Sequence, residues 1–164
     1  TRTSGASRLP AAPSVFRRLP RDSHIPTSIR PCCKGNVPAK ILIVDDEPDL
    51  RTVMSQLLSS RGFLVETAAG GAEAAQAYEP GTYALVMVDQ CLSDMYGWEV
   101  AEGILKRDPE AKVLMMTGNL DPKDAAEGWP KGVLGWIEKP FGVADLLAFY
   151  EKKTGRPLRA APGP

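Results

Sequence analysis

The sequence predicts an α/β fold with a parallel sheet. Four short apolar runs, Ile41–Val44, Ala84–Val88, Val113–Met116 and Val133–Glu138, have the length and composition of buried parallel strands. Segments with helical spacing separate them. Strand and helix alternate five times along the chain, as in a sheet wound by crossover helices.

The first strand is expected at 40–45 and the first helix at 47–61. In that helix Leu50, Val53, Met54, Leu57 and Leu58 recur as one apolar stripe, and Gly62 stops it. A second strand at 63–67 leads to an Ala-rich helix at 71–79, ended by Pro80-Gly81. The third strand covers 83–88, the third helix runs from Gly97 to Arg107, and Pro109 lies just beyond it. The fourth strand is placed at 112–117. The fourth helix is the weakest element: Asp121 can cap it and Pro122 suits its first turn, but Gly128 and Pro130 cut it short. A fifth strand at 133–138 precedes a last helix at 142–154, which carries Leu146, Leu147, Phe149 and Tyr150.

Residues 1–38 show no sustained period, and Pro10, Pro13, Pro20, Pro26, Pro31 and Pro38 would interrupt any helix. They are expected to form a disordered basic Pro/Arg-rich arm or linker. The folded domain is expected at 39–154 and a C-terminal tail at 155–164.

The net charge of zero conceals a segregation. Residues 1–38 carry seven Lys/Arg and one acid, a net of +6, while residues 39–154 carry eleven and nineteen, a net of −8. An acidic domain argues against direct nucleic-acid binding on its own surface, and the arm reads as a solvated linker. No apolar run approaches the ~18 residues that cross a bilayer, so no membrane insertion is expected. An apolar secretory segment is also missing from these residues. Cys32, Cys33 and Cys91 have neither disulfide-framework nor metal-type spacing, and His24 is the single histidine. A reducing cytoplasmic compartment fits. The first residue is Thr1, so the chain is expected to be a processed or excised piece.

Each apolar run ends on a residue able to handle a phosphoryl group or its metal. The first runs into Asp45-Asp46, the second into Asp89, the third into Thr117 and the fourth into Lys139-Pro140. In an open α/β sheet, ligands bind beyond the carboxyl ends of the strands. These five side chains should therefore converge on one edge. Unit charges 4 Å apart interact by about 4 kcal/mol at an effective dielectric near 20, so clustered carboxylates favour a divalent cation. A carboxylate is also a competent nucleophile toward phosphorus once that cation reduces the repulsion.

At this point the chain resembles a family, the receiver domain of two-component response regulators. The matching pieces are Ile41-Leu-Ile-Val-Asp-Asp-Glu-Pro48, Val88-Asp-Gln-Cys-Leu-Ser-Asp-Met-Tyr-Gly97, Met116-Thr-Gly118 and Lys139-Pro-Phe141. The resemblance implies a flavodoxin-like (βα)5 sandwich with strand order 2-1-3-4-5. It implies that Asp89 is the phosphoacceptor. It further implies that Asp45, Asp46, Asp89 and the backbone carbonyl of Cys91 hold Mg²⁺, with Asp45 acting mainly through water. Lys139 and Thr117 would contact the phosphoryl oxygens, with a further donor from the backbone around Gly118. Thr117 and Trp136 would form the switch. The implied partners are a sensor histidine kinase or phosphotransfer protein, and an effector at the face formed by the fourth helix, the fifth strand and the last helix. The domain would catalyse only its own phosphorylation and dephosphorylation.

Two residues depart visibly from the commonest pattern: Ser93 stands where Pro is frequent, and Trp136 replaces a smaller ring. Asn119 and Cys91 flank the route of attacking water. Simple edge packing accounts for Trp136 as well as the switch does, and the two readings stay open. Two alternatives stand beside this reading: a receiver excised from a hybrid histidine kinase or multidomain regulator, and, against the motif, a haloacid-dehalogenase-type phosphatase with Asp45 as nucleophile. The phosphatase pattern needs Asp-x-Asp after the first strand, where this chain has Asp45-Asp46-Glu47.

Overall fold

A computed structural model describes residues 39–118 and 129–160. The elements run β1 (Lys40–Val44), α1 (Pro48–Ser59), β2 (Leu64–Ala68), α2 (Gly71–Ala77), β3 (Leu85–Asp89), α3 (Gly97–Arg107), β4 (Val113–Thr117), β5 (Gly135–Glu138) and α4 (Val143–Thr154). All strand pairs are parallel, in the order β2-β1-β3-β4-β5. This is the flavodoxin-like order expected above. The order reverses between β1 and β3, and that switch point is where such sheets open a ligand crevice. The expected fourth helix, including Asp121 and Pro122, falls largely outside the described residues, as do Asn119 and the 1–38 arm.

Pleating explains the two-sided core. Successive side chains of a strand point to opposite faces. Ile41, Ile43, Leu85, Met87, Leu114 and Met116 pack on one face with Met54 and Leu58 of α1 and Val143 and Leu146 of α4. Leu42, Val44, Val86, Val88, Val113 and Met115 pack on the other with Ala74 of α2 and Val100, Ala101 and Ile104 of α3. The central strands are buried on both faces, which is why they read as unbroken apolar runs. β5, at an edge, alternates half-buried and exposed residues instead.

The apolar stripe of α1 is only half used. Met54 and Leu58 are buried, but Val53 and Leu57 are 51% and 46% exposed. The sheet covers one row of the helix, and these two side chains lie on the neighbouring row. Residues past α4 also join the core: Leu158 is buried, and the Arg159 carbonyl accepts the Ala39 N–H at 2.9 Å. Thus the segment after α4 folds back beside the start of β1. No helix among the described residues is long and apolar enough to cross a membrane.

Candidate functional site

β1 and β3 are neighbours, so the residues that end them meet at the switch point. Val44 pairs with Val88, which sets Asp45 beside Asp89. Oxygens of Asp45, Asp46 and Asp89 lie within 4.8 Å of one another. Asp45 and Asp89 are buried, and Asp46 is the most exposed of the three. The sheet thus gathers three carboxylates, two of them buried, a donor set suited to a hard divalent cation.

The loop after β1 is fixed by main-chain contacts. Asp45 Oδ1 accepts the Glu47 N–H at 2.9 Å. Pro48 then opens α1, where its missing N–H is no loss. Arg51, one turn along, donates a guanidinium N–H to the Asp45 carbonyl. The sequence reading missed Arg51, because its partner is a main-chain carbonyl.

Lys139 reaches the cluster from the far side of the sheet. Its Nζ lies 2.7 Å from Asp45 Oδ2 and 2.8 Å from Asp89 Oδ1. The ladder explains the reach: Thr117 pairs with Glu138, and the Lys139 N–H donates to the Thr117 carbonyl at 2.7 Å. The Lys139–Pro140 peptide bond is cis. Burial pushes the Lys139 ammonium toward neutrality, but its bonds to Asp45 and Asp89 outweigh that and raise its pKa. Asp89 is also raised: burial is the main cause, the Asp45 charge adds to it, and Lys139 and the Cys91 N–H oppose it. The Asp89 carboxylate is therefore held in an environment that penalises its charge.

Thr117 ends β4 and is 1% exposed, yet its Oγ1 has no hydrogen-bond partner among the described residues. A buried hydroxyl without a partner costs about 1–3 kcal/mol. An anionic oxygen arriving beside it would relieve that cost. This orphan donor, the buried ammonium and the three carboxylates together fit a metal ion and a phosphoryl group.

Cys91 follows Asp89 in a loop tied to it, with the Cys91 N–H 3.3 Å from Asp89 Oδ2. The loop closes by a bridge between Cys91 and Tyr96 and by the Gly97 N–H donating to Gln90 O at 2.9 Å. Trp136 sits two residues before Glu138, on the face of the sheet that also carries Met115 and Thr117. Its ring is 39% exposed and stands edge-on to Trp129 at 5.3 Å. Of the sequence-predicted residues, Asp45, Asp46, Asp89 and Lys139 are brought together, Thr117 joins them through the β4–β5 ladder, and Trp136 points outward from the site.

Comparison with known proteins matches this geometry to one family. The family model for the response regulator receiver domain matches residues 41–151. The chain is 31% identical over 109 residues to the transcriptional regulatory protein TcrA of Mycobacterium tuberculosis, covering 66% of this chain and 43% of that protein. It is 32% identical over 108 residues to the uncharacterized transcriptional regulatory protein YkoG of Bacillus subtilis, with coverage of 66% and 47%. The chain spans less than half the length of these relatives. Among solved structures, a CheY-like receiver domain protein from Methanospirillum hungatei matches with a TM-score of 0.65 and 32% identity, covering 71% of this chain and 94% of that one. The response regulator TrrA of Thermotoga maritima, solved in complex with Mg(2+)-BeF, matches with a TM-score of 0.62 and 29% identity over 70% of this chain and 98% of that one. With an acidic cluster at the β1–β3 switch point, a lysine across it and a family match over most of the folded residues, the chain belongs to the response regulator receiver domains.

Proposed function

We propose that this domain takes a phosphoryl group onto Asp89 from the phosphohistidine of a sensor histidine kinase or phosphotransfer protein, or from a small acyl phosphate. Mg²⁺ would be held by Asp45, Asp46, Asp89 and the backbone carbonyl of Cys91. The observation that carries the reading is the packing of three carboxylates within 4.8 Å, two of them bridged by one ammonium. When bound, Mg²⁺ supplies the positive charge that lets an anionic oxygen approach an anionic phosphoryl group.

The chain's own groups do the rest. An Asp89 oxygen forms the new O–P bond as the donor's P–N bond breaks, and the imidazole leaves with that electron pair and takes up a proton. Lys139, already 2.8 Å from Asp89, turns its ammonium to a phosphoryl oxygen. Thr117 donates its unpartnered hydroxyl to another oxygen, and the backbone around Gly118 adds a donor. Hydrolysis reverses the charge change, so the domain acts on no substrate but its own Asp89. The protein works in the cytoplasm, where kinases of this kind present their phosphohistidine.

Thr117 and Trp136 form the switch in this reading. Thr117 moves toward the phosphoryl group and opens space on the face it shares with Trp136. Trp136 leaves Trp129 and turns inward, and the surface of β5 and α4 is presented to an effector, together with the expected fourth helix, which lies outside the described residues. Beryllofluoride with Mg²⁺ should therefore perturb residues 120–137 more than residues 63–80 in amide NMR shifts. Changes confined to the loops around Asp46 and Asp89 would remove this output face.

Intact mass spectrometry with acetyl phosphate and Mg²⁺ tests the central claim. The wild-type chain should gain one phosphoryl group, and Asp89→Asn should gain none. Equal labelling of both proteins would overturn the assignment, and labelling lost only in Asp45→Asn would favour the phosphatase-like nucleophile.

A further inference from the structure

Helix α2 begins without a cap of its own. Gly70 occupies the N-cap position in extended backbone and offers no side chain to the first N–H groups. A carboxylate from a different loop receives them. Asp94, five residues beyond the acceptor, accepts from the Gly71 N–H at 3.0 Å and from the Ala72 N–H at 2.9 Å, one to each oxygen.

The contact is shaped as well as bonded. A Cβ on Gly70 would stand 2.8 Å from Asp94 Oδ1, and one on Gly71 would stand 2.3 Å from Met95 Sδ. Two adjacent glycines thus clear the ground on which the acceptor loop rests. Burial raises the Asp94 pKa, but N–H bonds from Ala72, Gly71 and the loop's own backbone outweigh it, so the charged form is the one held.

The same loop is anchored to Asp89 at its base, through the Cys91 N–H and the Gly97–Gln90 bond. Asp94 ties its tip. Ser93, just before it, lacks the ring that would fix the backbone there. The tether through Asp94 therefore carries much of the loop's conformational restraint, and the loop carries the Cys91 carbonyl.

We propose that Asp94 is a positioning residue for the phosphoacceptor site: by capping α2 from outside, it holds the loop in the conformation that offers the Cys91 carbonyl to the metal. This rests on the Mg²⁺ site described above. By linkage, metal binding and order at the α2 N-terminus then strengthen each other.

The test titrates Mg²⁺ into the full chain by calorimetry and follows amide hydrogen exchange. Asp94→Ala should weaken Mg²⁺ binding about fivefold or more, the lower end of typical coupling between sites. Asp94→Asn, which keeps one acceptor oxygen, should fall between. In the wild type, Mg²⁺ should slow exchange at the Gly71 and Ala72 amides. The decisive variant is Asp94→Ala combined with Gly70→Asn. Shortening residue 94 makes room for a side chain at 70, and Asn there restores a local cap without the tether. Its melting temperature should recover while Mg²⁺ binding stays weak. Recovery of both would reduce Asp94 to a helix cap and overturn the proposal. Equal Mg²⁺ affinity in wild type and Asp94→Ala would overturn it alone, whereas a wild type that binds no Mg²⁺ would overturn the metal site and the proposal together.

Discussion

Gly97 and Asp89 are in backbone contact: a Cβ on Gly97 would lie 1.9 Å from the Asp89 main-chain oxygen. The first residue of α3 therefore presses directly on the backbone of Asp89. Gly97→Ala must push the helix or the strand end away, at a cost of about 3 kcal/mol, the upper end of ordinary overpacking. Urea unfolding should show that loss, and acyl-phosphate labelling of Asp89 should fall even where the variant is folded. A melting temperature within a degree of wild type would mean that the contact relaxes freely.

Lys139 is the cation of the metal-free site. Its raised pKa gives the sign: the stability it adds is fully present below the ordinary lysine value and is lost only as pH rises through the folded value, so it is constant near neutrality. Lys139→Met leaves Asp45 and Asp89 buried without their partner and should cost about 3 kcal/mol in metal-free buffer. Mg²⁺ should then stabilise Lys139→Met more than wild type in thermal melts. Equal shifts on adding Mg²⁺ would show that the ammonium and the metal do not serve the same charges.

Asp94 predicts a pH dependence of its own. Its folded pKa lies below the ordinary carboxylate value. The stability it contributes is present above the unfolded value near ~4 and is lost as pH falls through the folded value. The gap in unfolding free energy between wild type and Asp94→Ala should hold from pH 7 to about 5 and close in more acid solution. A gap that widens with acid would reverse the assignment of the bound form.

Leu158 makes the segment after α4 part of the fold. It is 9% exposed and packs in the cluster with Met54, Leu58 and Leu146. Leu158→Ala should cost about 2–3 kcal/mol by large-to-small truncation of a core residue. A chain ended at Thr154 should lose at least as much. Denaturant midpoints unchanged in both would place the segment outside the cooperative unit.

The arm predicts the opposite result. Its proline and arginine composition gives it little apolar surface to bury. A chain beginning at Val37 should keep the melting temperature and the Asp89 reaction. A drop of many degrees would mean that residues 1–36 pack on the domain.

The site was legible because its parts sit at strand ends. A buried parallel strand must be apolar throughout, so the first polar residue after it marks the carboxyl edge of the sheet. Asp45, Asp89, Thr117 and Lys139 all stand at such boundaries. Arg51, Asp94 and the glycines at 70 and 71 were not legible as a set. Their roles depend on hydrogen bonds to backbone atoms brought close by the fold, and a backbone partner leaves no mark in the sequence.

The sequence by itself determined the alternation of strand and helix, the order of the elements and the residue types at the carboxyl edge of the sheet, because periodicity and burial act locally. It did not determine which half of the α1 stripe would be covered. Val53 and Leu57 satisfy the helical period as well as Met54 and Leu58 do, yet the fold buries only the latter pair. Nor did it place Leu158 in the core or the Asp94 carboxylate on a helix 22 residues earlier. Those contacts join segments far apart along the chain. The Asp94 contact forms because the sheet order sets β1 between β2 and β3, and so brings the loops that follow β2 and β3 together at the same edge.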